Sequence, residues 1–74
     1  MMVQGRLGFN PTNGRYGLLV SDLWEHEGFH CGERLEVYID GHWQKTRMEM
    51  GNDCQWYLDG TMYYGDLEYV KVRI

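Results

Sequence analysis

The stretch LEVYIDGHWQK, residues 35–45, decides the fold because apolar and polar residues alternate on both sides of Asp40-Gly41. This alternation is typical of half-buried β-strands, and Asp-Gly is a preferred pair for a two-residue hairpin turn. The alternative is a three-residue turn with a bulge, which would place Val37 opposite Trp43. We favour the two-residue turn, which gives the cross-strand pairs Tyr38–Trp43 and Glu36–Lys45. The residues left for the buried face are then Leu35, Val37 and Ile39.

A second hairpin is predicted on the N-terminal side, around residues 11–14. Pro11 fixes φ for a type I turn, and Asn13 or Gly14 tolerates a positive φ. A four-residue loop of this kind gives the one-face pairs Phe9–Tyr16, Leu7–Leu18 and Gly5–Val20, with Gly8 opposite Gly17 on the other face.

The C-terminal part of the chain predicts further short strands. A turn at residues 50–53 leads into a strand over 54–58, and the alternating residues 70–74 form a last strand. Residues 59–66 contain two turn signals, and two interpretations stay open for them: a small extra hairpin, or a loop with one 3₁₀ turn.

These elements predict a single all-β domain over residues 1–74. Five or six short strands hide their edges most simply by closing, so we expect a small antiparallel SH3-like barrel with one long acidic loop. The residues expected to be mostly buried are Leu7, Leu18, Leu35, Val37, Ile39, Val70 and Val72.

Composition narrows the class of function. A hydrophobic content of 43% excludes a disordered tail, and no apolar run approaches the roughly 20 residues of a membrane span. The start of the chain lacks a signal-peptide pattern, so we expect a cytoplasmic protein. The net charge of −4 counts against non-specific nucleic-acid binding and against anionic membranes. A chain of 74 residues barely supports a core, so we expect neither an enzyme nor a bound cofactor.

The most informative segment is residues 21–33, which contain four acidic residues and no Lys or Arg. The other residues carry seven acids and seven bases, so the whole net charge lies on this segment. One interpretation is an acidic contact surface with aromatic anchors, aimed at a basic protein partner. The other is that Trp24 and Phe29 fold back and plug one end of the barrel. The candidate partner-binding residues are Asp22, Trp24, Glu25, Glu27 and Phe29.

An alternative site is a nucleic-acid face on the central hairpin. In the favoured register Arg34 lies opposite Arg47, next to the Glu36–Lys45 and Tyr38–Trp43 pairs, which makes a mixed basic and aromatic strip. The competing interpretation is a solvated face whose aromatics cover a barrel wall. The candidate residues are Arg34, Tyr38, Trp43, Lys45 and Arg47.

Signals for metal binding and catalysis are weak. Cys31 and Cys54 are too few for a disulfide framework and are expected to be free thiols. His26, His30 and Cys31 lack the paired spacing of a zinc site, so no metal is expected. No phosphate-binding loop is present, and no sequence pattern indicates a catalytic residue.

Several segments taken together resemble one family: residues 13–17, 29–37, 40–49, 56–58 and 72–74. It is a family of small domains of unknown function from Gram-positive bacteria, often encoded in mobile elements. The resemblance implies a small stand-alone bacterial domain without assigned catalytic residues. It also implies that Cys31, Trp43 and residues 56–58 serve the fold.

The expected function is therefore a non-enzymatic interaction module that binds a protein through residues 21–33. The alternatives are a nucleic-acid-associated module, and a mobile-element inhibitor whose acidic loop imitates nucleic-acid charge. We expect a monomer or a weak homodimer.

Overall fold

The computed structural model describes residues 2–74 and places seven β-strands in one antiparallel sheet. The strands are β1 (Gln4–Asn10), β2 (Arg15–Val20), β3 (Leu23–His26), β4 (Arg34–Ile39), β5 (His42–Met50), β6 (Trp56–Leu58) and β7 (Lys71–Arg73). Their order across the sheet is β3-β2-β1-β7-β4-β5-β6. The all-β prediction is confirmed, and the described part of the chain contains no helix.

The predicted closed barrel is wrong, and the SH3-like topology is not confirmed. Strands β3 and β6 lie at opposite edges of the sheet and do not pair with each other in the described chain. The last strand, β7, inserts between the two hairpins, where Val72 lies opposite Gly5 on one side and Val37 on the other. The sheet does not close, but the Trp56 indole N–H on the edge strand β6 donates to the Gly14 carbonyl in the β1–β2 turn at 3.0 Å.

The first hairpin follows the predicted register. Leu7 lies opposite Leu18, Phe9 opposite Tyr16, and Gly8 opposite Gly17. The recorded β1–β2 pairing ends at Arg6 and Leu19, one pair short of the expected Gly5–Val20 pair.

The β4–β5 hairpin confirms the two-residue turn. Tyr38 lies opposite Trp43 and Glu36 opposite Lys45. Asp40 and Gly41 have φ values of 51° and 80°, as a type I′ turn requires.

The expectation that residues 21–33 form one long loop is wrong. Four of these residues, Leu23–His26, form the strand β3. Ser21 and Asp22 make a two-residue turn with φ values of 50° and 64°, which returns the chain along β2. This turn lacks the usual Gly or Asn, so the sequence did not mark it. Arg6 holds the Asp22 carboxylate at 3.3 Å and supports the turn.

Residues 59–66 form a loop that folds back along β6. Tyr64 makes an isolated bridge with Tyr57, and the Gly65 N–H donates to the Trp56 carbonyl at 2.7 Å. The loop therefore covers the outer edge of β6 without becoming a regular strand.

The core lies on the inner face of the curled sheet. Six of the seven predicted core residues are buried, and Ile39 is half-buried. The core also contains six buried residues that were not among the seven predicted, which are Tyr16, Phe29, Met48, Trp56, Leu58 and Leu67.

Candidate binding surfaces of the sheet

The outer face of the sheet gathers six of the seven Lys and Arg residues of the chain. Cross-strand partners share a face, so the register places on it the basic residues Arg6, Arg34, Lys45, Arg47, Lys71 and Arg73. The inner-face residues that alternate with them, Val37 and Val72 among others, are buried. The seventh, Arg15, is two residues from the outer-face Gly17 but lies apart from the other six, at the end of the first hairpin and 5.8 Å from the Trp56 ring.

Two aromatic side chains lie on this outer face, next to the turn of the β4–β5 hairpin. Tyr38 and Trp43 make an edge-to-face pair with ring centroids 5.1 Å apart. Lys71 lies 4.6 Å from the Tyr38 ring, and Arg73 lies 4.3 Å from the Trp43 ring, both within cation–π range. We call Arg34, Tyr38, Trp43, Lys45, Arg47, Lys71 and Arg73 the basic aromatic face.

Some cations of this face are already neutralised by carboxylates. Arg73 bonds to Glu36 at 2.9 Å, and Arg47 bonds to Asp59 at 3.1 Å. Within residues 2–74, no carboxylate lies within salt-bridge distance of the other three, which are Arg34, Lys45 and Lys71. These three exposed cations are the ones available to an anionic ligand.

A shallow groove of about 440 Å³ opens on the same face. Arg34, Lys45, Arg47 and Arg73 lie along it, together with the two carboxylates that pair with the arginines. Its unpaired charges are therefore those of Arg34 and Lys45.

The acidic segment forms the opposite, β3 edge of the sheet. Trp24 lies opposite Leu19 on the outer face and covers Gly17, where a Cβ atom would approach its Cζ3 to 2.9 Å. Trp24 remains 39% exposed, and Leu23 is 73% exposed. Glu25 and Glu27 are exposed as well. We call Asp22, Leu23, Trp24, Glu25 and Glu27 the acidic edge.

Phe29 does not belong to this exposed edge. Its side chain is fully buried, and its ring stacks on His26 with centroids 4.2 Å apart. Its N–H donates to the Tyr16 carbonyl at 2.8 Å, which anchors the segment to β2. Of the two aromatics, Phe29 therefore fills the core and Trp24 stays at the surface, so Phe29 is removed from the contact residues.

Glu33 fixes the turn that follows Phe29. Burial alone would raise its pKa, but the His30 N–H and the His26 ring lower it, and the net pKa lies below the usual value of the carboxyl. Its two oxygens accept from His26 Nε2 at 2.5 Å and from the His30 N–H at 3.0 Å. The Gly28 N–H donates to His26 Nδ1 at 3.2 Å, which leaves Nε2 as the ring nitrogen that faces Glu33.

The histidines and cysteines do not converge. Both cysteines are free and exposed, and His26 contacts Glu33 rather than Cys31. Among residues 2–74, no three His, Cys, Asp or Glu side chains are grouped so as to hold a metal ion. The expectation of a metal-free, non-catalytic chain stays a prediction.

The predicted nucleic-acid face is brought together, and the structure adds two residues to it. Arg34, Tyr38, Trp43, Lys45 and Arg47 share one face, as the favoured register required. Lys71 and Arg73 were not among the candidate residues of this face, because nothing in their own segment indicates that β7 lies beside β4. The alternation of residues 70–74 was the available signal, since it marked Lys71 and Arg73 as the exposed members of a strand.

The chain belongs to the DUF5348 family, described as a domain of unknown function, whose model matches residues 5–74. Comparisons with curated proteins and with solved structures gave no match. A membrane-crossing helix is not found among residues 2–74.

Proposed function

We propose that this DUF5348 domain is a non-enzymatic module that binds single-stranded nucleic acid on its basic aromatic face. The observation that supports it is the collection of cations and two aromatic rings on one exposed sheet face by strand register. Proteins that bind single strands combine a positive surface for phosphates with rings on which bases stack.

The net charge of −4 argues against this function only if charge is spread evenly. In this fold the lysine and arginine residues lie mainly on the outer face of β7, β4 and β5, whereas the acidic edge lies beyond β2. Surface charges separated by more than a Debye length, about 8–10 Å at physiological salt, are largely screened from each other. A phosphate near Arg34 or Lys45 is then attracted by its neighbours more than it is repelled by the acidic edge.

The aromatic pair favours single strands over duplexes. Tyr38 is 37% exposed, so part of its ring is open to a base. Lys71 and Arg73 already lie over these rings, and the guanidinium of Arg73 offers a further planar surface for stacking. The bases of a duplex are stacked on each other and cannot use these surfaces without being unpaired.

The function needs no reaction chemistry, which agrees with the expectation of a non-enzyme. The groove is open and shallow, and its charged side chains suit phosphate contacts. The same proposal includes a cytoplasmic location, because the domain would encounter nucleic acid in the cytoplasm.

The test is fluorescence anisotropy with a labelled twelve-nucleotide oligo(dT) at 50 mM salt. Arg34→Gln should weaken binding and reduce the salt slope by about 0.7, the value for one phosphate contact on a single strand. Arg15→Gln is the matched control, since it removes the same charge from an arginine outside the basic aromatic face. It should leave the affinity within twofold, with circular dichroism confirming that both variants are folded.

Two further measurements sharpen the result. With three available cations, raising salt from 50 to 200 mM should weaken binding roughly twentyfold. Trp43→Ala should cost about 1–3 kcal/mol through lost stacking. The proposal fails if the oligonucleotide does not bind at 50 mM salt, or if Arg15→Gln weakens binding as much as Arg34→Gln.

A further inference from the structure

The two edges of the sheet differ in how they are covered. The outer edge of β6 is occupied by the returning loop, through the Gly65–Trp56 bond at 2.7 Å and the Leu58–Tyr63 bond at 3.1 Å. Among the described residues, the backbone of β3 makes no hydrogen bond beyond those of its pairing with β2. The outer edge of β3 therefore offers unpaired N–H and C=O groups to another chain.

In the part of the chain that the structure describes, no lysine, proline or covering loop blocks the edge of β3. Its protection against pairing with other chains is its four-residue length, its bulge and the negative charge of Glu25, which still admits a basic strand. Leu23 and Trp24 are exposed, and both are apolar anchors of the kind that protein contacts use. A bulge between the pairs Leu18–His26 and Leu19–Trp24 leaves Glu25 without a partner in β2.

The charge of the edge decides which strand it accepts. Glu25 and Glu27 have no salt-bridge partner within residues 2–74, and the Asp22 side chain is 87% exposed. Pairing β3 with β3 of a second copy would bring two sets of acids together, which is unfavourable. An extended segment rich in lysine or arginine would instead pair opposite charges across the new strand pair.

We propose that the acidic edge binds an extended basic segment of a protein partner by strand addition to β3. The new strand gains backbone hydrogen bonds from β3, places side chains against Trp24 on the outer face and against Leu23 on the opposite face, and pairs its cations with Glu25 and Glu27. This site is separate from the basic aromatic face and does not depend on the proposed nucleic-acid binding. It gives a mode and a partner chemistry to the protein contact expected for residues 21–33.

The experiment uses an eight-residue peptide of alternating lysine and valine, titrated into isotope-labelled protein and followed by NMR. The largest amide shifts should fall on Trp24 and Glu25, with little change in β4 and β5. The double variant Glu25→Gln with Glu27→Gln should bind the peptide at least fivefold more weakly than the native chain. The charge-matched control is Asn52→Lys with Met62→Lys, which changes the net charge equally at two exposed positions outside β3 and should change affinity less than twofold.

Backbone N-methylation separates strand addition from simple charge attraction. Two further peptides carry N-methyl groups on every odd or on every even residue, so that each loses the donors of one strand edge and keeps its charge. Strand addition predicts that one of the two binds at least tenfold more weakly than the parent peptide. Equal binding by all three peptides overturns the proposal, as does equal binding of a glutamate–valine peptide. Sedimentation that shows a dimer lost on Leu23→Asp also overturns it, because the edge would then be occupied by a second copy.

Discussion

The basic aromatic face and the acidic edge lie on one sheet and are assembled in different ways. The acidic edge comes from six consecutive residues, 22–27, that turn and run back along β2. The basic aromatic face takes its side chains from β7, β4 and β5, spread from residue 34 to residue 73. The acidic edge is therefore set by one continuous segment. The basic aromatic face exists only because strand register brings distant residues together.

The two surfaces also differ in what holds them. Strands β4 and β7 are paired on both sides, so the face above them is held by two neighbouring strands each. Strand β3 pairs on one side only, through a bulged register, and is anchored at its end by the buried Phe29 ring. A small domain has only about 3–5 kcal/mol of net stability, so the acidic edge depends heavily on that single ring.

The largest expected effect comes from removing this anchor. Phe29→Ala should cost about 3–5 kcal/mol, because a fully buried aromatic ring is replaced by a cavity, and so small a domain should then unfold. Trp24→Ala, in the same segment, should cost only about 1–2 kcal/mol, since its ring is 39% exposed. Urea denaturation followed by circular dichroism measures both. A Phe29→Ala variant that melts like Trp24→Ala would contradict the anchoring role of Phe29.

Much of the sheet could be predicted from the sequence because the local signals agreed with the register. Asp40-Gly41 set the central hairpin, and with it the alignment of Arg34, Tyr38, Trp43 and Arg47 on one face. Local turn chemistry is sufficient there, since a two-residue turn leaves one possible pairing.

The rest depended on contacts that no local pattern carries. The Ser21-Asp22 turn uses two residues with positive φ and no glycine, and its support comes from distant Arg6. The insertion of β7 between β1 and β4 is a long-range pairing, which joins the two hairpins into one sheet and adds Lys71 to the face. The sequence also did not indicate which of Trp24 and Phe29 fills the core, because both are large aromatic residues and the contact of Phe29 with Tyr16 of β2 is not marked by any local pattern.

A smaller effect tests how closely β3 is packed on β2. Gly17 and Gly8 lie opposite each other, yet a Cβ atom at Gly17 would meet the backbone of His26 and Glu27. At Gly8 it would meet the terminal methyl group of the Leu19 side chain, which can rotate away. Gly17→Ala should therefore destabilise the domain by about 1–3 kcal/mol and shift the amides of β3, whereas Gly8→Ala should cost less. NMR spectra and urea midpoints of the two variants make the comparison, and equal losses would show that β3 is free to move off β2.

The smallest effect concerns the pH dependence of the turn that follows the acidic edge. The pKa of Glu33 is lower in the fold than in the unfolded chain, so its contribution to stability is complete above the unfolded pKa. That contribution is lost as the pH falls through the lower, folded pKa. About a third of the side chain is exposed, so solvent screening limits the effect to roughly 0.5 kcal/mol or less.

The measurement is the loss of unfolding free energy between pH 5 and pH 3, compared between the native chain and Glu33→Gln. The other carboxylates contribute similarly to both proteins, so the difference between the two losses reports Glu33. The native chain should lose more stability than the variant, because only the native chain has an ionised group at this position to protonate. A variant that loses as much stability as the native chain would mean that His26 and His30 do not hold Glu33 in its charged form. The acidic edge would then be anchored by the Phe29 ring, with no electrostatic contribution from the turn behind it.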